Sequence, residues 1–355
     1  MASLNLSKIS LNNASPTKVY YMLGRFQPFT MGHMALFNSM VEEASFEEGQ
    51  HAYLFVSHKK PNFSRAKVGE LEEILDGDNP TVKKVKPLMK KDKSIMDNPL
   101  STLVRYQIVN MIMKTVYKPK VTKVRGEEIF LLDKILDVNQ LFVTGDLKKS
   151  MRLLEFPVQV HIVNSEVTGT GGFKAHGFLK KRYGKQIPAR MYTGTNREGR
   201  LAPFIMANKP IFIKREEGDT SDAFHPTGLS GSKIRSWSVI YFKTGDEVML
   251  ENISKSYYGL LSNAKLVKYI VNPISNSIFS GEMVNNLSAS ESESASASTS
   301  ASLRSTSNRT SSVSKSVSAL GKSKKKKKGT KGKGVSIEKQ TKRRKRKFTL
   351  KTIND

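Results

Sequence analysis

Apolar positions along the chain switch between two periods. Val19-Tyr20-Tyr21-Met22-Leu23 is a short run of β-formers that stops at Gly24, and from His33 the apolar residues recur as Met34, Phe37, Met40 and Val41. The first pattern predicts a strand and the second a helix, with a glycine-containing turn between them. His51–Ser57 (HAYLFVS), Val158–Val163 (VQVHIV), Ala189–Tyr192 and Pro210–Lys214 are further strand patterns. Helical spacing returns at Leu100–Tyr117, where Leu103, Val104, Ile108, Met111 and Ile112 share a face and Pro119 follows. Helices are also expected near Val68–Leu75, at Phe173–Tyr183 after the glycine-rich Thr168–Gly172, and from Ser230–Arg235. Within residues 121–155 the pattern reads as a helix at Ile129–Leu136 and a strand at Leu141–Val143. Thr244 and Glu247 have capping-box spacing ahead of another helix.

Strands and helices therefore alternate. That order predicts an α/β fold, a doubly wound and mostly parallel Rossmann-like sheet, with ligands bound beyond the carboxyl ends of its strands. The 355 residues hold 59 Lys and Arg against 31 Asp and Glu, and 38% are hydrophobic. The excess charge is concentrated. Residues 286–355 contain 19 Lys and Arg, four acids, 17 serines and a single aromatic residue, Phe348. Such a segment buries too little apolar surface to offset its ordering entropy, so a disordered basic tail is expected. The resulting organisation is a flexible N-terminus at 1–17, a body at 18–260, an extension at 261–285 and the tail at 286–355. Within the body, 59–99 reads as a basic loop region and 121–155 as an insertion.

The chain has no cysteine, which excludes disulfides, thiolate metal sites and a cysteine nucleophile. Met1–Lys18 lacks an apolar signal core, and no run approaches the ~18 apolar residues of a membrane span. An intracellular protein, cytoplasmic or nuclear, is expected. Lys324–Lys328 and Lys342–Lys347 are dense basic runs. They suit a nuclear localisation signal or non-specific nucleic-acid binding through residues 322–351.

Two segments carry candidate chemistry, each where a strand gives way to a helix. The first is Gly24-Arg25-Phe26-Gln27-Pro28-Phe29-Thr30-Met31-Gly32-His33. Backbone amides of the turn, the positive end of the following helix, a hydroxyl and an imidazole suit a polyphosphate. The second is Pro226-Thr227-Gly228-Leu229-Ser230-Gly231-Ser232-Lys233-Ile234-Arg235, where Ser230 is a natural N-cap and Ser232, Lys233 and Arg235 offer a hydroxyl and two cations.

Thr30-Met31-Gly32-His33 resembles the (H/T)xGH signature of the cytidylyltransferase-like nucleotidyltransferases, and Leu229–Arg235 resembles their ISSTxxR segment. The run GRFQPF…GH is similar to nicotinamide mononucleotide adenylyltransferases, as are Ser57-His58 and Asn98-Pro99-Leu100-Ser101…Arg105. Tyr192–Arg197 resembles the family's Gly-x-Asp step, with Asn196 where Asp is usual. Phe142–Asp146 is a second match, but residues 193–197 lie one strand before the second signature. The resemblance implies transfer of a nucleoside monophosphate to a phosphorylated small molecule with release of pyrophosphate. Adenylyl transfer from ATP to nicotinamide mononucleotide, giving NAD, is the leading expectation. Cytidylyl transfer, a pantetheine-phosphate adenylyltransferase-like activity, and an inert nucleic-acid-binding protein on the same fold are the alternatives. On this resemblance His33, Thr30 and Arg235 are catalytic. Gly24, Arg25, Phe26, Gly32, Thr195, Asn196, Arg197, Ser230, Ser232 and Lys233 bind the nucleotide. Mg²⁺ arrives with the triphosphate, and no protein-held metal is implied.

Overall fold

A computed structural model describes residues 16–58, 63–90, 94–170, 174–194, 210–213, 224–226 and 228–284. The chain divides into two units at Ser302, and these residues all belong to the first. The chain runs through β1 (Val19–Gly24), α1 (Met31–Ala44), β2 (His51–Val56), α2 (Arg65–Asp76) and α3 (Val82–Val85), then a 3₁₀ turn at Leu88–Lys90 and α4 (Thr102–Tyr117). It continues through β3 (Thr122–Val124), β4 (Glu127–Leu136), α5 (Val138–Thr144), β5 (Met151–Asn164), α6 (Ser165–Thr168) and α7 (Lys174–Tyr183). Then come β6 (Ala189–Gly194), β7 (Ile211–Ile213), α8 (Gly231–Thr244), α9 (Glu247–Ser256), α10 (Asn263–Leu266), a π-helical turn at Val267–Val271 and α11 (Asn272–Ser280).

The seven strands form one sheet in the order β3-β4-β5-β2-β1-β6-β7. β5, β2, β1, β6 and β7 are parallel, while β4 runs antiparallel to β5 and to β3. Central parallel strands are buried on both faces, so they read as continuous apolar runs. In β1, Tyr20 and Met22 join the core beneath α1 and α4, while Val19 and Tyr21 join the core beneath α7. Helices therefore cover both faces, and the α/β, mostly parallel architecture is compatible with a Rossmann-like fold. After β1 the chain moves to β2 on one side. After β5 it crosses to β6 on the other. The strand order thus reverses between β1 and β6, where α/β sheets leave a crevice at their carboxyl ends.

Residues 121–155 reverse two expectations. Ile129–Leu136 lies in the strand β4, not in a helix, and Leu141–Val143 lies in the helix α5, not in a strand. β4 and β5 lose register between Leu132, which pairs with Val158, and Lys134, which pairs with Leu153, so the extra residues lie in β5; Ile129, Leu132 and Leu136 of β4 happen to fall at helical spacing in the sequence. α5 is capped by Asp137, whose side chain accepts from Gln140 N at 3.0 Å. Residues 121–155 add β3, β4 and the start of β5 to the sheet edge. The capping-box expectation also changes: Thr244 ends α8, and Asp246 caps α9 by accepting from Val248 N at 3.0 Å. The basic loop region holds α2, α3 and a 3₁₀ turn, which bury Val68, Leu71, Leu75, Val85, Leu88 and Met89. Residues 261–284 place Leu266, Ile270, Ile274 and Ile278 in the main core. Among the described residues no helix is long and apolar enough to cross a membrane. Residues 1–15 and the basic tail lie outside the described residues.

Candidate functional site

A cavity of about 440 Å³ opens at the carboxyl ends of β1 and β6. Gly24, Thr193 and Gly194 end those strands on its wall, and Arg25, Phe26 and Gln27 follow from the β1–α1 loop. His33 comes from the first turn of α1, and Gly231, Ser232 and Arg235 come from the start of α8.

Two glycines bring these loops together. A Cβ on Gly32 would fall 2.6 Å from Pro226 O, and one on Gly231 would fall 2.4 Å from Gln27 O. Only a residue without a side chain allows either approach. Gly32 therefore admits the 224–226 turn, and Gly231 lets α8 begin against the β1–α1 loop.

The imidazole of His33 is held from several sides. Thr30 N–H donates to His33 Nδ1 at 3.0 Å, and Thr30 Oγ1 lies 2.9 Å from the same atom. Because Nδ1 accepts, the neutral ring carries its proton on Nε2. The ring packs edge-on to Phe26 at 5.1 Å and lies 5.6 Å from Phe29. Thr30 is buried outside the cavity lining and orients the imidazole. On α8, Ser230 accepts from Lys233 N at 3.3 Å and lies 3.0 Å from Ser232 Oγ, which faces the cavity. Lys233 is half-buried on the same turn and is not a lining residue.

Arg235 is more deeply committed than a surface phosphate ligand would be. Its Nη1 donates to Gln27 O at 2.5 Å, and its Nη2 donates to Met89 O at 2.5 Å and to Asp97 Oδ1 at 3.3 Å. Burial pushes its pKa down to about 10, the Asp97 carboxylate opposes the drop and Arg25 adds to it, so the charge is retained at neutral pH. Arg105 lies beneath the same loops. It donates from Nη1 to Arg25 O and Ser57 O at 2.5 and 2.7 Å, and burial lowers it to about 9. His58 Nδ1 lies 3.0 Å from Thr102 Oγ1.

Gln27, Asp97 and Lys90 are polar lining residues that carry no role in the sequence patterns. Gln27 exchanges two hydrogen bonds with the backbone of Leu100, at 2.9 and 3.0 Å, and so ties the β1–α1 loop to the segment ahead of α4. Asp97, in that segment, pairs with both Arg25 and Arg235. Lys90 brings a cation from the 3₁₀ turn. Asp97 lies next to Asn98-Pro99, the one local signal that points to it. Thr195, Asn196 and Arg197 lie outside the described residues, as do Thr227 and Lys214.

The lining carries Arg25, Lys90 and Arg235 against one acid, Asp97. Among the described residues no group of three or more His, Cys, Asp or Glu could hold a metal ion. Asp97 already accepts from two guanidinia, so it is a poor fit for a cation. No family model, curated protein or solved structure matches the chain.

Proposed function

We propose that this cavity transfers a nucleoside monophosphate from a nucleoside triphosphate to a phosphorylated small molecule. ATP and nicotinamide mononucleotide are the leading pair, with pyrophosphate and NAD as products. On this reading the sheet is the Rossmann-like fold of the nucleotidyltransferases that both signatures resemble. The observation that carries the reading is the convergence of His33 and Ser232 on one cavity from segments about 200 residues apart in sequence.

The acceptor phosphate is already a nucleophile, so no general base is needed. Catalysis then consists of alignment and stabilisation of charge on the α-phosphate and the leaving pyrophosphate. His33 donates through Nε2, the ring atom that its hydrogen bonds at Nδ1 leave protonated. The N-terminus of α1 adds its positive end. Ser232 supplies a hydroxyl at the first turn of α8. Arg25 and Lys90 attract the polyanion, and Arg235 holds the wall. Mg²⁺ enters as the counter-ion of the triphosphate.

The test is pyrophosphate release from ATP or CTP against a panel of phosphorylated acceptors. Release from ATP with nicotinamide mononucleotide supports the leading pair. Release with cytidine triphosphate and a phospho-alcohol, or with phosphopantetheine, moves the substrate within the class. No release with any pair removes the enzymatic reading and leaves the basic tail's nucleic-acid binding as the alternative.

A further inference from the structure

We propose that Asp97 is a positioning residue of this cavity: an internal anion that holds Arg25 on the wall and yields it to the phosphates of an entering ligand. The inference rests on the nucleotidyl-transfer reading above. Asp97 sits between two guanidinia of unequal freedom. Its Oδ2 accepts from Arg25 Nη1 at 2.5 Å, and its Oδ1 accepts from Arg235 Nη2 at 3.3 Å. Asn98 braces the pair. Its Oδ1 accepts from Arg25 Nη1 at 3.1 Å, and its Nδ2 donates to Asp97 Oδ2 at 3.2 Å.

Arg235 cannot leave this arrangement cheaply. Its side chain is 5% exposed and is also bound to the carbonyls of Gln27 and Met89. Arg25 is different, because its side chain is 35% exposed at the cavity. A partly exposed ion pair is weak, and phosphate offers a guanidinium more charge and a bidentate face. Phosphate therefore displaces the carboxylate from Arg25. Asp97 then remains beside Arg235, so the buried guanidinium keeps its counter-ion throughout the exchange. The carboxylate thus has two opposed effects. It keeps Arg25 aimed at the cavity, and it competes with the ligand for Arg25, which favours release of pyrophosphate.

The experiment is calorimetric titration of the full-length chain with inorganic pyrophosphate, paired with thermal melting. D97N keeps the shape and removes the competing charge. It should bind pyrophosphate about two- to fivefold more tightly, the worth of a partly exposed ion pair, while melting at a lower temperature. A side chain with only a structural role would lower affinity and stability together. R25Q removes a partly exposed side chain, so it does not depend on D97N folding. It should weaken binding about tenfold or more and abolish the gain from D97N in the double variant. Equal or weaker binding by D97N overturns the inference, as does wild-type affinity in R25Q. Wild-type protein that binds neither pyrophosphate nor ATP removes the nucleotidyl-transfer reading itself, and this inference with it.

Discussion

Two clusters of charged and aromatic side chains occupy different parts of the same sheet. At the carboxyl ends of β1 and β6, His33, Arg25, Asp97 and Arg235 wall a cavity. Beneath α7, Glu127, His161, Arg182, Tyr53, Tyr183 and His51 pack on one another. Glu127 takes a hydrogen bond from His161 Nδ1 at 2.7 Å and two from Arg182 at 2.7 and 3.0 Å. Arg182 also donates to Tyr53 OH at 3.1 Å, Tyr53 bonds to Tyr183, and Tyr183 OH lies 2.8 Å from His51 Nδ1. His161 Nε2 is met by Gln159 at 3.0 Å, and its ring stacks on Tyr53 at 4.2 Å.

The titrations beneath α7 are strongly displaced. Burial lowers His51 to about 3, with His161 and Arg182 adding to the drop. Burial alone would raise Glu127, yet hydrogen bonds from His161 and Arg182 hold it well below the usual carboxylate range. Displaced pKa values mark functional sites only as a matter of probability, because structural ion-pair networks produce them too. Hydrogen-bond capacity separates the two clusters. Beneath α7 the charged groups consume one another. At the cavity, the Nε of Arg235 is buried without a hydrogen-bond partner among the described residues.

The sharpest way to break this contrast is to remove the acid beneath α7. E127A leaves the buried His161 and the Arg182 guanidinium without their shared acceptor and should cost about 3 kcal/mol of folding free energy. Denaturant unfolding reads that loss, and pyrophosphate titration of the folded fraction should show unchanged affinity. A variant that lost anion binding while staying folded would tie the network to the cavity. H33A should behave in the opposite way. Its pyrophosphate release should fall about 10²–10³-fold, the scale of one lost oxyanion donor, with only the modest drop in melting temperature expected from losing the capping contact to Thr30 N–H. A smaller cost is expected for G231A, whose Cβ must displace the backbone at Gln27. Strain of about 1–3 kcal/mol should appear in unfolding, accompanied by a loss of turnover, because α8 and the β1–α1 loop are forced apart.

Over any single pH unit, acid has the smallest effect. His51 binds its proton less readily when folded than when unfolded, where its value is near 6.5. The unfolded chain therefore takes up protons first. Stability is complete above about pH 6.5 and declines as pH falls toward the folded value, by about 1 kcal/mol over the first unit below it. His161 shifts in the same direction and adds to the decline. Unfolding midpoints between pH 7 and 5 check this, and H51Q should flatten the slope.

Local chemistry made the cavity partly legible before the fold was known. The strand, turn and helix around residues 19–44 were readable because an apolar run, a glycine and a helical period follow one another without interruption. The start of α8 was readable because Ser230 is a capping residue. Asp97 was not, since its partners lie 72 and 138 residues away and only the tertiary fold brings them together. The two reversed elements, β4 and α5, have different causes. The apolar residues of β4 at Ile129, Leu132 and Leu136 mimic a helical period, and α5 is a seven-residue helix whose inward face is only Val138 and Leu141. Roles changed within the legible region as well. Thr30 stood out as a phosphate ligand, and in the fold its hydroxyl and amide serve the imidazole of His33.

On the proposed function, a nucleotide binds where the β1–α1 loop meets the start of α8. A crystal structure with a non-hydrolysable ATP analogue checks this. The phosphates should lie between the N-terminus of α1, the Nε2 atom of His33 and the hydroxyl of Ser232, with Arg25 turned from Asp97 toward them. An analogue bound elsewhere on the chain, with that cavity holding only solvent, would contradict it.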